Sequence, residues 1–238
     1  MELTVSSAST AESTSNPPSG LWRSERVTDV ARVLSIWALK YHRIVIDGGE
    51  NMPLSGAALI LPKHRAYRDI LIEGIVLHRL ARRYATYVMK VGLYGILELV
   101  GGVKIVRPQD IRRIKDRQQR RRRIEWARSR NQQTLDYLTW LYTAGECVIS
   151  HPEGTRCADF LGPLQKQVVE HLISVEAATE LRIPLIPMGL EYENIWAPRS
   201  RVFVRIGTPM YSDEFADQAS LMDELESRLR TLSFADES

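Results

Sequence analysis

A histidine and an aspartate five residues apart, His64 and Asp69, carry the first sign of chemistry in this chain. A carboxylate that binds one ring nitrogen of a histidine fixes the tautomer and makes the other nitrogen a better proton acceptor. The pair therefore has the parts of a general base that takes a proton from a hydroxyl. Because a His and an Asp also arise at this interval by chance, the hypothesis depends on a second motif.

That second motif is SHPEGTRC, residues 150–157, which offers the Glu153 carboxylate, a glycine and a guanidinium. Gly154 lets the backbone approach a ligand closely, and the forked donors of Arg156 match a phosphate group. Arg107 follows another predicted strand and could supply a second guanidinium. Salt bridges at strand ends are the alternative, but groups that follow separate strands favour a shared pocket. A base with an anion-binding turn predicts transfer chemistry on a phosphorylated alcohol.

The motifs of several other enzyme classes are absent from the sequence. There is no G-x-S-x-G nucleophile elbow, no G-x-x-x-x-G-K-[ST] phosphate loop and no G-x-G-x-x-G dinucleotide fingerprint. Cys147 and Cys157 have neither a disulfide framework nor zinc spacing. Three histidines, His42, His78 and His171, also lack the spacing of a metal-ligand set. We therefore expect no metal, no cofactor and no covalent intermediate, but direct attack by a substrate hydroxyl.

Helix geometry decides where His64 can lie. Successive helical residues are about 100° apart, so positions five apart differ by roughly 140° and cannot share a face. The apolar run at 57–61 predicts a buried strand, Pro62 ends it, and helical periodicity follows over about 67–82. We therefore expect His64 in the strand-to-helix turn. From there it can fold back onto Asp69 in the first helical turn, where the helix dipole favours a carboxylate.

The rest of the chain alternates strands with helices, which is typical of an α/β fold. The predicted strands are 44–46, 57–61, 85–89, 103–106, 147–150, 184–192 and 202–206. The other predicted helices are about 91–99, a basic helix that continues to Tyr142 either unbroken or with a break, about 165–180 and about 219–232. We expect a mixed, largely parallel sheet flanked by helices on both faces. A disordered tail at 1–20 and an amphipathic helix at 21–43 precede a catalytic domain at 44–238.

Composition limits the cellular setting. The chain has 238 residues, 44% of them hydrophobic, which fits one domain with a full core. It has no apolar run of about 18 residues that could span a bilayer, and no basic and apolar export signal at its start. With only two cysteines, we expect a cytoplasmic protein. The helix at 21–43 either packs on the domain or lies in the plane of a membrane surface.

Positive charge is concentrated between Arg107 and Arg130, where eleven Lys or Arg residues stand against three acids. A solvated helix face is the ordinary explanation of such a run. The run could also attract nucleic acid, anionic lipid head groups or an acidic carrier protein. Because Trp126 is the one aromatic residue interleaved before Tyr137, we expect an anionic membrane surface as partner and no nucleic acid.

Four blocks of sequence, in order, resemble the glycerolipid acyltransferase family, which includes glycerol-3-phosphate and 1-acylglycerol-3-phosphate acyltransferases. The blocks are H-x4-D at His64 and Asp69, GGVKIVR ending in Arg107, HPEGTR, and IPLIPMG. The similarity extends over about residues 44–212. Four ordered blocks are far more specific than any one of them.

The resemblance implies a role for each matched residue. His64 would deprotonate a hydroxyl of a glycerol phosphate or lysophospholipid, foremost 1-acylglycerol-3-phosphate, and Asp69 would orient His64. The hydroxyl would attack the thioester of acyl-CoA or of an acyl carrier protein. The residues implied to hold the acceptor are Arg107, Glu153, Gly154, Thr155 and Arg156. The implied location is peripheral, on the cytoplasmic face of a membrane.

The chain departs from the family pattern at positions beside these motifs. Lys63 stands where the family usually has Asn, and His151 stands where it usually has another aromatic residue. Both would add positive or switchable charge near the head group, so we include them among the predicted substrate-binding residues. The alternative is a non-catalytic lipid-binding or nucleic-acid-binding protein that uses the basic segment at 107–130. The intact His64 and Asp69 argue against it.

Overall fold

The protein is built around one mixed β-sheet. The structure, a computed structural model, describes residues 24–39, 42–90 and 100–234. The strands are β1 (His42–Asp47), β2 (Ala58–Pro62), β3 (Ala85–Lys90), β4 (Gly102–Ile105), β5 (Cys147–Ser150), β6 (Leu185–Tyr192) and β7 (Ser200–Ile206). Within the described residues they form a seven-stranded sheet in the order β1-β7-β6-β2-β5-β3-β4. The strands from β6 to β4 are parallel, whereas β7 pairs antiparallel with β6 and parallel with β1.

Helices cover both faces of this sheet, which confirms the predicted architecture. They are α1 (Glu25–Leu39), α2 (Asp69–Ala81), α3 (Pro108–Arg112), α4 (Arg117–Thr143), α5 (Gln167–Thr179) and α6 (Gln218–Ser233). Short 3-10 turns lie at Gly49–Asn51 and Ser212–Glu214. The predicted tail at 1–20 and the predicted helix at 91–99 lie outside the described residues.

The side chains of β2 show how the sheet divides the core. Successive residues of a strand point to opposite faces. Leu59 and Leu61 join a cluster built with α4, α5 and α6, while Ala58 and Ile60 join a second cluster built with α2. Helix α1 packs on α2 outside that second cluster. Because β2 is buried on both faces, its sequence is a continuous apolar run.

One predicted helix boundary was wrong, and the basic helix has the break that its prediction allowed. The helix predicted at 21–43 ends at Leu39, and β1 already begins at His42. Pairing of His42 with Ser200 in the sheet overrides the helical periodicity there. The basic segment is divided between α3 and α4, since the side chain of Asp116 accepts a hydrogen bond from the Gln119 amide and starts a new helix.

The parallel strands bring the predicted motifs to one edge of the sheet. The carboxyl ends of parallel neighbours meet at the same edge, where α/β folds commonly bind ligands. The loop that follows β2 carries His64, the loop after β5 carries residues 151–157, and Arg107 follows β4. Tyr192 ends β6 at this edge. His42 begins the oppositely directed β1 and therefore lies there as well.

Candidate active site

The structure brings His64 and Asp69 together across the strand-to-helix turn. His64 lies in the loop after β2, and Asp69 is the first residue of α2. His64 Nδ1 is 3.0 Å from Asp69 Oδ2. Because a carboxylate only accepts hydrogen bonds, Nδ1 carries the proton and Nε2 is the nitrogen that can accept another. The His64 side chain is 13% exposed, so this nitrogen can be reached by a substrate.

Asp69 is fully buried and heavily hydrogen-bonded. Its Oδ2 accepts hydrogen bonds from the backbone amides of Arg65, at 2.6 Å, and Ala66, at 2.7 Å. Its Oδ1 accepts a hydrogen bond of 2.6 Å from the Tyr192 hydroxyl. These donors, together with the helix N-terminus, stabilise the carboxylate away from water and fix the turn that carries His64.

Tyr192 was not predicted to belong to the site. Burial, and then the neighbouring Asp69 carboxylate, raise the pKa of Tyr192 far above its ordinary value, so the hydroxyl remains a donor. Its ring contacts His42 edge to face, and His42 Nδ1 lies 3.1 Å from the hydroxyl of Ser200. The available signal was positional, because Tyr192 ends the strand that pairs with the strand before His64.

Lys63 lies beneath the site rather than facing a substrate. Its ammonium donates hydrogen bonds to Glu153 Oε1 at 2.8 Å, to Glu153 Oε2 at 3.1 Å, and to the carbonyl of Cys157. Both charged side chains are 0% exposed. The prediction that Lys63 binds the substrate is therefore wrong, because its positive charge is neutralised by a buried partner. Removing one partner of such a pair costs roughly 3–5 kcal/mol.

Glu153 also positions the loop that carries His64 instead of facing a ligand. Besides Lys63, its carboxylate accepts hydrogen bonds from the amides of His64, at 3.0 Å, and Gly162, at 2.8 Å. The amide of Cys157 in turn donates to the His64 carbonyl at 3.0 Å. The PEGTR loop thus holds both backbone groups of His64. The prediction that Glu153 contacts the substrate is therefore wrong, because Glu153 is buried and only 3% exposed.

His151 stacks on His64 and has a carboxylate of its own. The ring centroids are 4.0 Å apart with an interplanar angle of 27°. His151 Nε2 lies 2.9 Å from Glu73 Oε1, and Glu73 is fully buried on α2. Glu73 was missed by sequence reasoning, although it is the one acid within the apolar stretch ILIEGIVL, one helical turn after Asp69.

Of the remaining predicted residues, Arg107 and Gly154 are hydrogen-bonded to each other, whereas Thr155 and Arg156 are exposed. Arg107 donates two hydrogen bonds of 3.0 Å to Asp110 and one to the Gly154 carbonyl. Gly154 has a φ of 63°, a conformation that favours glycine. Thr155 and Arg156 are exposed, and the Arg156 guanidinium lies 3.6 Å from the centre of the Tyr67 ring. Arg156 is therefore the cation of this loop that is available to an anionic ligand.

A cavity of about 250 Å³ opens beside these loops, between the sheet and α4. Its apolar lining includes Leu61, Val88, Ile105 and Val168. Arg107, Arg128, His151 and Gly154 also line it. A single water occupies about 30 Å³ in the liquid, so the cavity can accept a substantial apolar group.

Known proteins resemble this chain in sequence and in fold. A sequence model of the acyltransferase family matches residues 43–191. The chain belongs to the acyltransferase family. Its structure is similar to the crystal structure of the 1-acyl-sn-glycerophosphate (LPA) acyltransferase PlsC from Thermotoga maritima, with a TM-score of 0.57 at 15% identity over 87% of this chain and 76% of that chain. That likeness shows a shared fold. No curated protein sequence matches the chain.

Three further features of this acyltransferase concern membrane spans, metal ligands and surface charge. Within residues 24–39, 42–90 and 100–234, no helix is long and apolar enough to cross a membrane. The same residues contain no group of three or more His, Cys, Asp or Glu side chains that could hold a metal ion. The first half of α4 is strongly basic, and Trp126 is exposed there under the guanidinium of Arg123.

Proposed function

We propose that this acyltransferase moves a fatty acyl group from a thioester to a hydroxyl of a glycerol phosphate or lysophospholipid, with 1-acylglycerol-3-phosphate as the foremost acceptor. The observation that carries the proposal is the His64–Asp69 pair. One ring nitrogen of His64 is held 3.0 Å from a buried carboxylate, and the other is left to accept a proton. This is the arrangement that general-base catalysis requires.

The reaction needs two proton transfers and two bond changes at the thioester carbon. His64 Nε2 takes the proton of the acceptor hydroxyl as the hydroxyl oxygen adds to the thioester carbonyl. The tetrahedral intermediate collapses, the carbon–sulfur bond breaks, and the thiolate leaves with the bonding electrons. The proton held by His64 then neutralises the thiolate. The products are an ester and a free thiol, and His64 is returned to its starting state.

Two neighbouring features support the placement of the substrates. The cavity of about 250 Å³ has an apolar lining suited to the acyl chain of the donor, either acyl-CoA or an acylated carrier protein. Exposed Arg156, with the Thr155 side chain and the Gly154 backbone, offers donors for the phosphate of the acceptor. Arg107 fixes this turn through its hydrogen bond to the Gly154 carbonyl.

Two surfaces support a peripheral site of action at the cytoplasmic face of a membrane. Helix α1 exposes Val30, Val33 and Leu34, which are 59%, 48% and 63% accessible. The basic first half of α4 adds a positive surface that suits anionic lipid. A lipid acceptor would reach the site from such a surface.

The proposal is tested by acyl transfer with the purified full chain. Acyl-CoA and acyl carrier protein serve as donors, with glycerol 3-phosphate, lysophosphatidate and other lysolipids as acceptors. His64→Ala should abolish turnover, while Glu226→Gln, an exposed position on α6, should leave it unchanged. Full activity of His64→Ala, or no transfer to any acceptor, would contradict the proposal. In sedimentation with anionic vesicles, Leu34→Asp should weaken binding, and Val45→Asp on β1 should not.

A further inference from the structure

The site contains a second histidine–carboxylate pair, His151 and Glu73. Asp69 and Glu73 are four residues apart on α2, so their side chains lie on the same face of the helix. Each carboxylate holds one of the two stacked imidazoles, His64 at 3.0 Å and His151 at 2.9 Å. The first pair explains the base of the proposed reaction, and the second pair has no role in it so far.

The hydrogen bonds indicate which imidazole carries the positive charge. Asp69 accepts from two backbone amides and from Tyr192, so its charge is stabilised without a protonated His64. Glu73 has His151 on Oε1, and its Oε2 has no hydrogen-bond partner among the described residues. A buried carboxylate needs a compensating charge. Two imidazoles stacked at 4.0 Å repel each other if both are protonated, so the proton belongs on His151.

The charged groups around His151 favour the same state. Burial alone would lower the pKa of His151, but the Glu73 carboxylate, and after it Asp69 and Glu153, hold that pKa above the ordinary histidine value. The cations on neighbouring elements oppose it. Arg107 and Arg128 line the same cavity as His151, but Arg107 is paired with Asp110, and the buried Lys63 is neutralised by Glu153.

The position of His151 relative to the cavity suggests what this charge does. Its side chain lines the cavity and stacks on His64. With Nε2 on Glu73, its Nδ1 is the nitrogen left for another contact, and no hydrogen bond to Nδ1 is found in the described parts of the chain. Within those parts, Nδ1 is not one of the buried side-chain atoms that lack a hydrogen-bond partner, so the protein does not enclose this nitrogen. A cationic N–H thus stands between the cavity and the base.

We propose that His151 is a second catalytic residue whose Nδ1–H donates a hydrogen bond to the oxyanion formed during acyl transfer. This inference rests on the proposed function. As the hydroxyl oxygen bonds to the thioester carbon and His64 takes its proton, the carbonyl π electrons move onto oxygen, where His151 stabilises them. When the carbonyl re-forms and the carbon–sulfur bond breaks, the thiolate takes the proton from His64. His151 keeps its own proton throughout, and Glu73 positions it. While both stacked rings are protonated, the negative charge of the oxyanion compensates the second positive charge.

The first test is the rate of acyl transfer by variants of the pair. His151→Phe keeps an aromatic ring on His64 and removes the donor, and the double variant His151→Phe with Glu73→Gln also removes the unpaired buried carboxylate. Loss of one oxyanion donor lowers kcat by about 10²–10³-fold, so both variants should show such a loss with KM little changed. Glu226→Gln is the matched surface control. Activity of the double variant within about twofold of wild type would overturn the proposal.

The pH dependence gives a readout that a structural role would not produce. Wild-type kcat/KM should fall at high pH, as His151 loses its proton. His151→Phe should lose the high-pH limb, and Glu73→Gln should move that limb to lower pH because the carboxylate no longer holds the proton. A high-pH limb unchanged in both variants would contradict the assignment.

A measurement that needs no activity separates this inference from the proposed function. In the full chain with ¹⁵N-labelled histidine, the His151 ring should titrate above about 6.5, the ordinary histidine value. Glu73→Gln should lower that midpoint, and a neutral His151 ring at pH 6 would overturn the inference. Activity that requires His64 but not His151 overturns the inference alone. Activity retained by His64→Ala overturns the proposed function and, with it, this inference.

Discussion

The two histidine–carboxylate pairs lie side by side on α2, yet their carboxylates are held very differently. Asp69 accepts four hydrogen bonds, from His64, two backbone amides and Tyr192. Glu73 accepts from His151 on one oxygen, and its other oxygen is buried without a partner among the described residues. The several donors to Asp69 stabilise its negative charge without a cation. Glu73 has one donor, so its negative charge favours a proton on that donor, His151.

This difference suits the two rings to opposite tasks. His64 must be neutral to accept a proton, and the several donors on Asp69 let its carboxylate remain ionised without an imidazolium beside it. His151 is useful as a cation, and Glu73 has little else to compensate its charge. Pairs of titratable groups in contrasting environments are typical of sites that divide acid and base roles.

The largest expected effect comes from removing the charge of the first pair. Asp69→Asn should lower kcat by about 10²–10⁴-fold, the usual contribution of general-base catalysis, because an amide can also hold His64 in the wrong tautomer. It should also lower the free energy of unfolding by about 3 kcal/mol, since a buried acceptor of charge-assisted hydrogen bonds is lost. Transfer assays and urea unfolding measure the two effects. A loss of stability with kcat unchanged would show that Asp69 only supports the fold.

Replacing the carboxylate of the second pair by an amide should have a smaller effect, and its effect on the free energy of unfolding should depend on pH. The folded-state pKa of His151 is raised, so its pairing with Glu73 stabilises the protein below the unfolded histidine value of about 6.5, and this stabilisation is lost as pH rises through the folded pKa. Glu73→Gln should therefore lower the free energy of unfolding at pH 5.5 and have little effect at pH 9. Urea unfolding at both values is the measurement, and an equal effect at both would contradict the ion pair.

How far the sequence could predict the site depends on how each residue reaches it. His64 and Asp69 are close along the chain, and helix geometry showed that they could meet only across the strand-to-helix turn. The strands were also predictable, since buried parallel strands are continuous apolar runs. Tyr192 and Glu73 reach the site through sheet order and the packing of α2 against the β5 loop. No local pattern contains that information.

The wrong prediction for Lys63 has a physical cause as well. Lysine is almost never fully buried unless it is paired, so a sequence places it near solvent by default. Here the partner is Glu153, 90 residues away along the chain. The carboxylate predicted to bind a ligand instead neutralises the lysine and fixes the backbone of His64. The single contact between Lys63 and Glu153 therefore explains why both residues were wrongly predicted to bind the substrate.

The smallest expected effect comes from one donor of the first pair. Tyr192→Phe removes a 2.6 Å hydrogen bond to Asp69 and keeps the ring against His42. Loss of a hydrogen bond to a charged group costs about 1.5–3 kcal/mol, which the unfolding free energy should show. As a positioning residue, Tyr192 should change kcat by roughly tenfold without changing KM. The high-pH limb of kcat/KM is assigned to the second pair and should stay in place, so a shift of that limb in Tyr192→Phe would show that the two pairs do not act separately.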